Sequence, residues 1–125
     1  MTANEALNQV AQVRPFAYPQ EMLGRWVMEL EGSLWTEFFS KYEGADGSGR
    51  AKSYPEDGDV TLLVPDEWAN VYTLYLLAMV DFYDRNWTAY SGSNAMYSAA
   101  LDEFRKEWHR THRRKDYDAG VKNLW

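Results

Sequence analysis

The chain has 125 residues, a formal net charge of −6, 46% hydrophobic and 26% charged residues, and no cysteine. That length is one domain with a modest core, and the missing cysteines exclude disulfides, thiolate metal sites and cysteine nucleophiles. Aromatic residues reach 16%, with six Trp, nine Tyr and five Phe, more bulk than a small interior readily holds, and Trp and Tyr are side chains that interfaces use heavily.

The first element expected is a weak helix over residues 3–13 with Leu7, Val10 and Val13 on one side. It stops at Arg14–Pro15, because a residue before proline avoids helical geometry. A second helix starts near Tyr18–Pro19, where the missing proline N–H is harmless, and Glu21 suits its positive end. Leu23, Val27, Leu30, Leu34 and Phe38 recur at spacings of three and four, flanked by Trp26 and Trp35, which carries the helix to about Tyr42. Gly24 and Gly32 inside it each cost about 1 kcal/mol relative to alanine. They are either tolerated weak spots or places where another helix or subunit packs closely.

Residues Glu43–Asp59, EGADGSGRAKSYPEDGD, form a glycine-rich acidic loop, longer than ordinary connections. Val60–Val64 alternates and fits one arm of a short β-hairpin or an extended lead-in. Pro65, Asp66 and Glu67 open a third helix, and Trp68–Tyr83 is apolar nearly all round, the mark of a central helix. Asp81 and Arg85 stand at i and i+4 and can pair. Asn86 and then Thr88–Asn94, TAYSGSN, form a hinge or an offset helix start, with Ser93 or Asn94 as cap. Tyr97, Leu101, Phe104 and Trp108 trace the last amphipathic stripe, which ends near Arg110. The expected architecture is all-α: a bundle of about four helices (residues 1–110), a long loop between the second and third, and an extended C-terminal tail (residues 111–125). Its core would be Trp26, Leu30, Leu34, Val71, Tyr75, Met79, Phe82, Tyr97, Leu101, Phe104 and Trp108.

Charge is segregated. Residues 1–104 hold six Lys/Arg against sixteen Asp/Glu, net −10, and residues 105–125 hold seven against three, net +4. A basic tail on an acidic body is built to dock on something acidic. The pI near 4.8 opposes a general nucleic-acid footprint, which leaves a small DNA-binding regulator using the tail as the alternative. His109 and His112, with Glu107 nearby, lack a fourth zinc ligand and sit among arginines. Among the carboxylate pairs, only Asp81 is expected to be buried. No nucleophile elbow, phosphate loop or dinucleotide fingerprint is present. A non-enzymatic chain without metal or cofactor is therefore expected. No apolar run is long enough to cross a bilayer, no signal peptide is visible, and no membrane partner is expected.

The run LLVPDEWANVYTLYLLAMVDFYDRNWTAYSGSNAMYSAALDEFRKEWHRTHRR, with Val64–Pro65, Val71-x-x-x-Tyr75-Leu76, Ala78, Asp81, Tyr90, Ser93-Asn94, Tyr97 and Phe104 through Arg110-Thr111-His112, resembles the head-to-tail connector (adaptor, or head-completion) proteins of tailed bacteriophages and prophages. The earlier Tyr18-x-x-Glu21-x-x-x-Arg25-Trp26-x-x-Glu29-Leu30-Glu31 joins the likeness, which extends from about Arg14 to Arg114. Trp68, Trp87 and Trp108 stand where tyrosine or a smaller residue is expected, and the C-terminus runs further. The resemblance implies a structural ring of about twelve copies in the virion neck, built in the host bacterial cytoplasm before assembly. The ring would join the portal protein to a stopper or tail-completion protein, and DNA would pass through it without sequence-specific binding. The acidic body suits such a channel, since like charge suppresses phosphate contacts. The tail would dock on the portal through Arg110, His112, Arg113, Arg114, Lys115, Tyr117, Leu124 and Trp125. The loop would contact a neighbouring subunit or the next neck protein through Glu43, Asp46, Arg50, Tyr54, Asp57 and Asp59.

Overall fold

The protein is described from a computed structural model that covers residues 1–14, 16–42 and 52–114. Four helices follow in order: α1 (Ala3–Val13), α2 (Gln20–Glu37), α3 (Asn70–Tyr83) and α4 (Trp87–Thr111). Single 3₁₀ turns at Phe39–Lys41 and Asp66–Trp68 extend α2 and precede α3. The all-α bundle of four helices expected from periodicity is the fold.

Thr2 caps α1 by accepting a hydrogen bond from the Glu5 N–H at 3.2 Å. Ala3, Ala6, Leu7 and Val10 form its buried face, while Val13, placed on that face from sequence, is 74% exposed. The stripe of α2 is buried as read, at Leu23, Val27, Leu30 and Leu34, together with Trp26. The helix ends at Glu37, earlier than Tyr42, because Phe38 leaves helical geometry at φ −133°. The 3₁₀ turn then swings Phe38, Phe39 and Tyr42 inward against α4. Phe39 meets Trp108 edge-to-face at 4.9 Å, and Phe38 meets Phe104 at 5.8 Å. Such pairs add about 0.5–1.5 kcal/mol each beyond their burial.

Residues 60–64 are the extended lead-in, with no hairpin among the described residues. They run beside the N-terminus through one antiparallel bridge, Thr2 to Thr61, and the Leu62 N–H donates to the Met1 carbonyl at 2.8 Å. The alternation is real, since Leu62 and Val64 are buried and Thr61 is exposed. The close approach anticipated at Gly24 is also real, but the neighbour is the loop: a Cβ there would overlap the Tyr54 ring. Gly32 has open space around it and is the tolerated weak spot.

The α3–α4 connection departs from expectation. Of hinge and helix start, TAYSGSN is the latter, the first turns of α4, and the cap is not Ser93 or Asn94 but Asn86, accepting from the Ala89 N–H at 3.3 Å. Ser93 stays helical because its hydroxyl bonds to the Ala89 carbonyl at 2.9 Å and to Asp81 across the interface. The whole turn is Asp84–Arg85–Asn86. The Arg85 N–H donates to the Phe82 carbonyl and the Asn86 N–H to the Asp81 carbonyl, both at 3.1 Å. This is a Schellman closure, whose left-handed position normally takes glycine. Arg85 holds it at φ 59°, at a cost of about 1 kcal/mol.

Core membership needs correction near that turn. Trp26, Leu30, Leu34, Val71, Leu101 and Phe104 are buried as expected, but Tyr75, Met79, Tyr97 and Trp108 are half-buried and Phe82 is exposed. Helix α4 covers one side of α3, while past Val80 the other side is met only locally, by Arg14 at Asp81 and by the Trp26 ring at Tyr83. An all-round apolar helix is therefore only partly enclosed. Tyr72, fully buried, takes the central place given to Tyr75.

Candidate functional site

Helix α4 spans about 37 Å at 1.5 Å per residue, and its two ends carry different chemistry. At the C-terminal end, Thr111 closes the helix and residues 112–114 fold back. Arg114 forms an antiparallel bridge with Tyr42. His112 stacks on Trp108 with ring centres 3.6 Å apart, and the Tyr42 hydroxyl lies 3.3 Å from His109 Nδ1. Arg110 grips Glu107 through Nε at 3.1 Å and Nη2 at 2.5 Å. That bond holds the exposed Glu107 carboxyl below its usual range and raises Arg110. His109, His112, Arg113 and Arg114 line an open depression beside this clasp. Trp108 Nε1 and Arg105 Nε are buried without a hydrogen-bond partner among the described residues. Of the tail residues expected to dock, Arg110, His112, Arg113 and Arg114 thus cluster here. Lys115, Tyr117, Leu124 and Trp125 lie outside the described residues.

The two histidines and Glu107 are each held by a different neighbour, and among the described residues no three His, Asp or Glu side chains gather as a metal site. Nor is any helix among them long and apolar enough to cross a membrane.

Of the loop residues, Glu43, Asp46 and Arg50 also fall outside the described residues. Tyr54, Asp57 and Asp59 fold onto their own chain. The Tyr54 hydroxyl donates to Asn4 Oδ1 at 2.8 Å, and Asn4 Nδ2 donates to Asp59 Oδ1 at 2.8 Å. Asp57 Oδ2 accepts from the Ser53 N–H at 2.9 Å. Burial, then the charges of Glu21 and Asp59, raise the Tyr54 hydroxyl. The start of the loop at Tyr42 and the beginning of the tail at Arg114 are side by side, a juxtaposition no sequence pattern reveals.

At the other end, the α3–α4 turn projects an aromatic ledge. Phe82, Tyr83 and Trp87 are 42%, 45% and 57% exposed. Phe82 meets Trp87 at 5.6 Å and Tyr90 at 5.5 Å edge-to-face. Trp26 stacks flat on Tyr83 at 5.0 Å, so the ledge is braced from α2. The Tyr18 hydroxyl donates to Asp84 Oδ1 at 2.7 Å and is raised chiefly by that bond.

Two carboxylates are buried. Asp81, expected to be so, pairs with Arg14 and accepts from Ser93, not from Arg85; the left-handed turn removes Arg85 from the helical i+4 position. Glu31, placed on a solvent face from sequence, is 2% exposed. It accepts from the Tyr72 hydroxyl, from the Leu63 N–H at 3.0 Å and from Lys52 Nζ at 3.4 Å. The sequence signal for Glu31 was its place next to Leu30 on the buried stripe. These groups are saturated by protein donors, and their arrangement is a brace between elements rather than a reaction centre.

No protein-family profile, curated protein or solved structure matches this chain.

Proposed function

We propose that this chain is a structural assembly protein of the phage or prophage neck. It forms a ring between portal and stopper, with DNA passing through. The observation that carries the reading is the aromatic ledge: Phe82, Tyr83 and Trp87 stand open together at the turn that joins α3 to α4. Exposed Trp, Tyr and Phe set together are the residues of interface hot spots, and contiguous apolar surface of this kind marks a protein contact. Three further features support it. The resemblance to connector proteins runs through α2–α4. The acidic body lets DNA slide past. The basic cluster at the end of α4 offers an acidic partner five cationic or ionisable groups, His109, Arg110, His112, Arg113 and Arg114.

The test is assembly on a portal ring. Full-length protein mixed with portal should appear in electron microscopy as an added ring at its narrow end. Truncation after Arg110 should leave the helical circular-dichroism spectrum intact and abolish that added ring. Undiminished binding of the shortened chain would remove the tail from the portal contact, and no binding of the full chain would overturn the reading. A salt-dependent shift of duplex DNA by the full chain, lost with the tail, would instead support the DNA-binding regulator.

A further inference from the structure

The aromatic ledge has a candidate counterpart on the same chain. Gly24 receives the Tyr54 ring, while Trp26 stacks on Tyr83. Two residues along a helix turn the side chain by about 200° and advance it by about 3 Å. The loop turn at Tyr54–Pro55 and the ledge at Tyr83 therefore lie on opposite sides of α2, at nearly one height. They cannot meet within one copy.

Their chemistries match. Phe82, Tyr83, Arg85 and Trp87 line an open cleft on the ledge. Arg85 is exposed and its guanidinium has no ion-pair partner among the described residues. It occupies a left-handed position, φ 59°, that glycine would fill without strain. On the opposite side, Pro55 and Glu56 are exposed at the tip of a tightly held turn. The Asp57 N–H donates to the Ser53 carbonyl at 2.8 Å and the Gly58 N–H to the Pro55 carbonyl at 3.0 Å. Tyr54 is anchored on Gly24 and Asn4. The turn thus presents one apolar ring and one carboxylate on a prefixed backbone, which lowers the ordering cost of docking.

We infer that the Pro55–Glu56 turn of one copy docks on the Phe82–Tyr83–Arg85–Trp87 ledge of a second copy, with Pro55 against the Trp87 ring and Glu56 paired with Arg85. The contact is heterologous, one surface on each side of the molecule, and such contacts propagate. In the ring proposed above, such a repeat closes on itself. The inference rests on the ring reading above and assigns its subunit contact.

The absence of native cysteine gives a direct test on the full chain. Under mild oxidation, a Glu56→Cys/Arg85→Cys double variant should form a covalent ladder beyond dimer. Its rate should exceed that of a Gln12→Cys/Arg85→Cys control by about tenfold. Arg85→Glu and Glu56→Arg should each weaken self-association by about tenfold in sedimentation, and the combined reversal should restore it. Arg85→Gly should leave the melting temperature unchanged or higher while weakening association, which a merely structural role for the turn would not produce. A ladder no faster than the control, or no rescue by the double reversal, overturns the contact. If rings still form on portal in that case, the neck reading stands and another surface makes the ring. If Arg85→Glu abolishes DNA or portal binding and leaves self-association intact, the ledge belongs to that partner and the inference fails.

Discussion

Tyr72→Phe is the sharpest probe of the interior. The Tyr72 hydroxyl donates to Glu31 and accepts from the Val64 N–H at 2.9 Å, and Tyr72 is 0% exposed. Phenylalanine fills the same space, so no cavity term arises. What is lost is specific. The Val64 N–H, on a residue 1% exposed, is left without an acceptor, which costs about 1–3 kcal/mol. Glu31 loses a charge-assisted donor worth about 1.5–3 kcal/mol, partly made up by Leu63 N–H and Lys52 Nζ. The low ends sum to about 2.5 kcal/mol, against a total stability of order 5–15 kcal/mol for such a domain. Urea unfolding followed by both circular dichroism and tryptophan fluorescence should show an unchanged slope, a lower midpoint and a melting temperature down by roughly 10 °C. Glu31→Gln should cost less in the Tyr72→Phe background than in the native chain, with a coupling of about 1–2 kcal/mol. A loss below about 1 kcal/mol, or strict additivity of the two changes, would refute the account of Tyr72 and Glu31 as one unit.

Gly24→Ala should destabilise by about 1–3 kcal/mol through overpacking against Tyr54, whereas Gly32→Ala, facing open space, should stabilise by about 0.5–1 kcal/mol; chemical denaturation reads both. Arg14→Met should cost about 2–3 kcal/mol by leaving buried Asp81 with Ser93 alone, and an unchanged urea midpoint would show that Ser93 suffices. On the alkaline side, stability should fall from pH 10 through about 12. Burial, then the Glu31 charge, pushes Tyr72 up, and burial, then Tyr97 and Glu29, pushes Tyr75 up to about 12. Above pH 10 the unfolded chain has lost phenol protons that the folded chain keeps, so each added pH unit favours unfolding. Tyr72→Phe should flatten that decline, and denaturation midpoints across the range would show it.

The helices were legible because their signals are local. The spacing of Leu23, Val27, Leu30 and Leu34 and of Leu101, Phe104 and Trp108, with proline before α2, needs no partner to be read. The turn at Arg85 was not legible, since a Schellman closure built on arginine lacks the glycine that announces it, and the serines and Gly92 that follow look like a loop. Their helicity depends on Asp81, a residue of the facing helix. The position of Glu31 on the buried stripe was a local signal, but what lets a carboxylate stay there was hidden. Its three donors come from Lys52, Leu63 and Tyr72, 21 to 41 positions away, and only tertiary structure assembles them. Of the surfaces, the basic cluster was visible as composition. The ledge was concealed because apolar periodicity predicts a core and cannot say which part of an apolar helix its own chain leaves uncovered.

Glu31 and Asp81 together explain how a bundle can leave aromatic surface open without losing its geometry. Glu31 ties α2 to Tyr72 of α3 and to the lead-in at Leu63. Asp81 ties α3 to Arg14 at the end of α1 and to Ser93 of α4. Buried ion pairs add little net stability, because desolvation offsets their attraction. Their value is positional, since a slipped or rotated helix would strand a buried charge at a cost of several kcal/mol, a penalty that apolar contacts alone do not impose. Asp81 stands one residue from Phe82 and its carbonyl accepts the Asn86 N–H at 3.1 Å, so the group that fixes helix register also fixes the turn carrying Arg85 and Trp87. A docking surface held this rigidly loses little conformational freedom on binding. In the ring proposed above, weak individual contacts would then sum over the copies, each held on two sides.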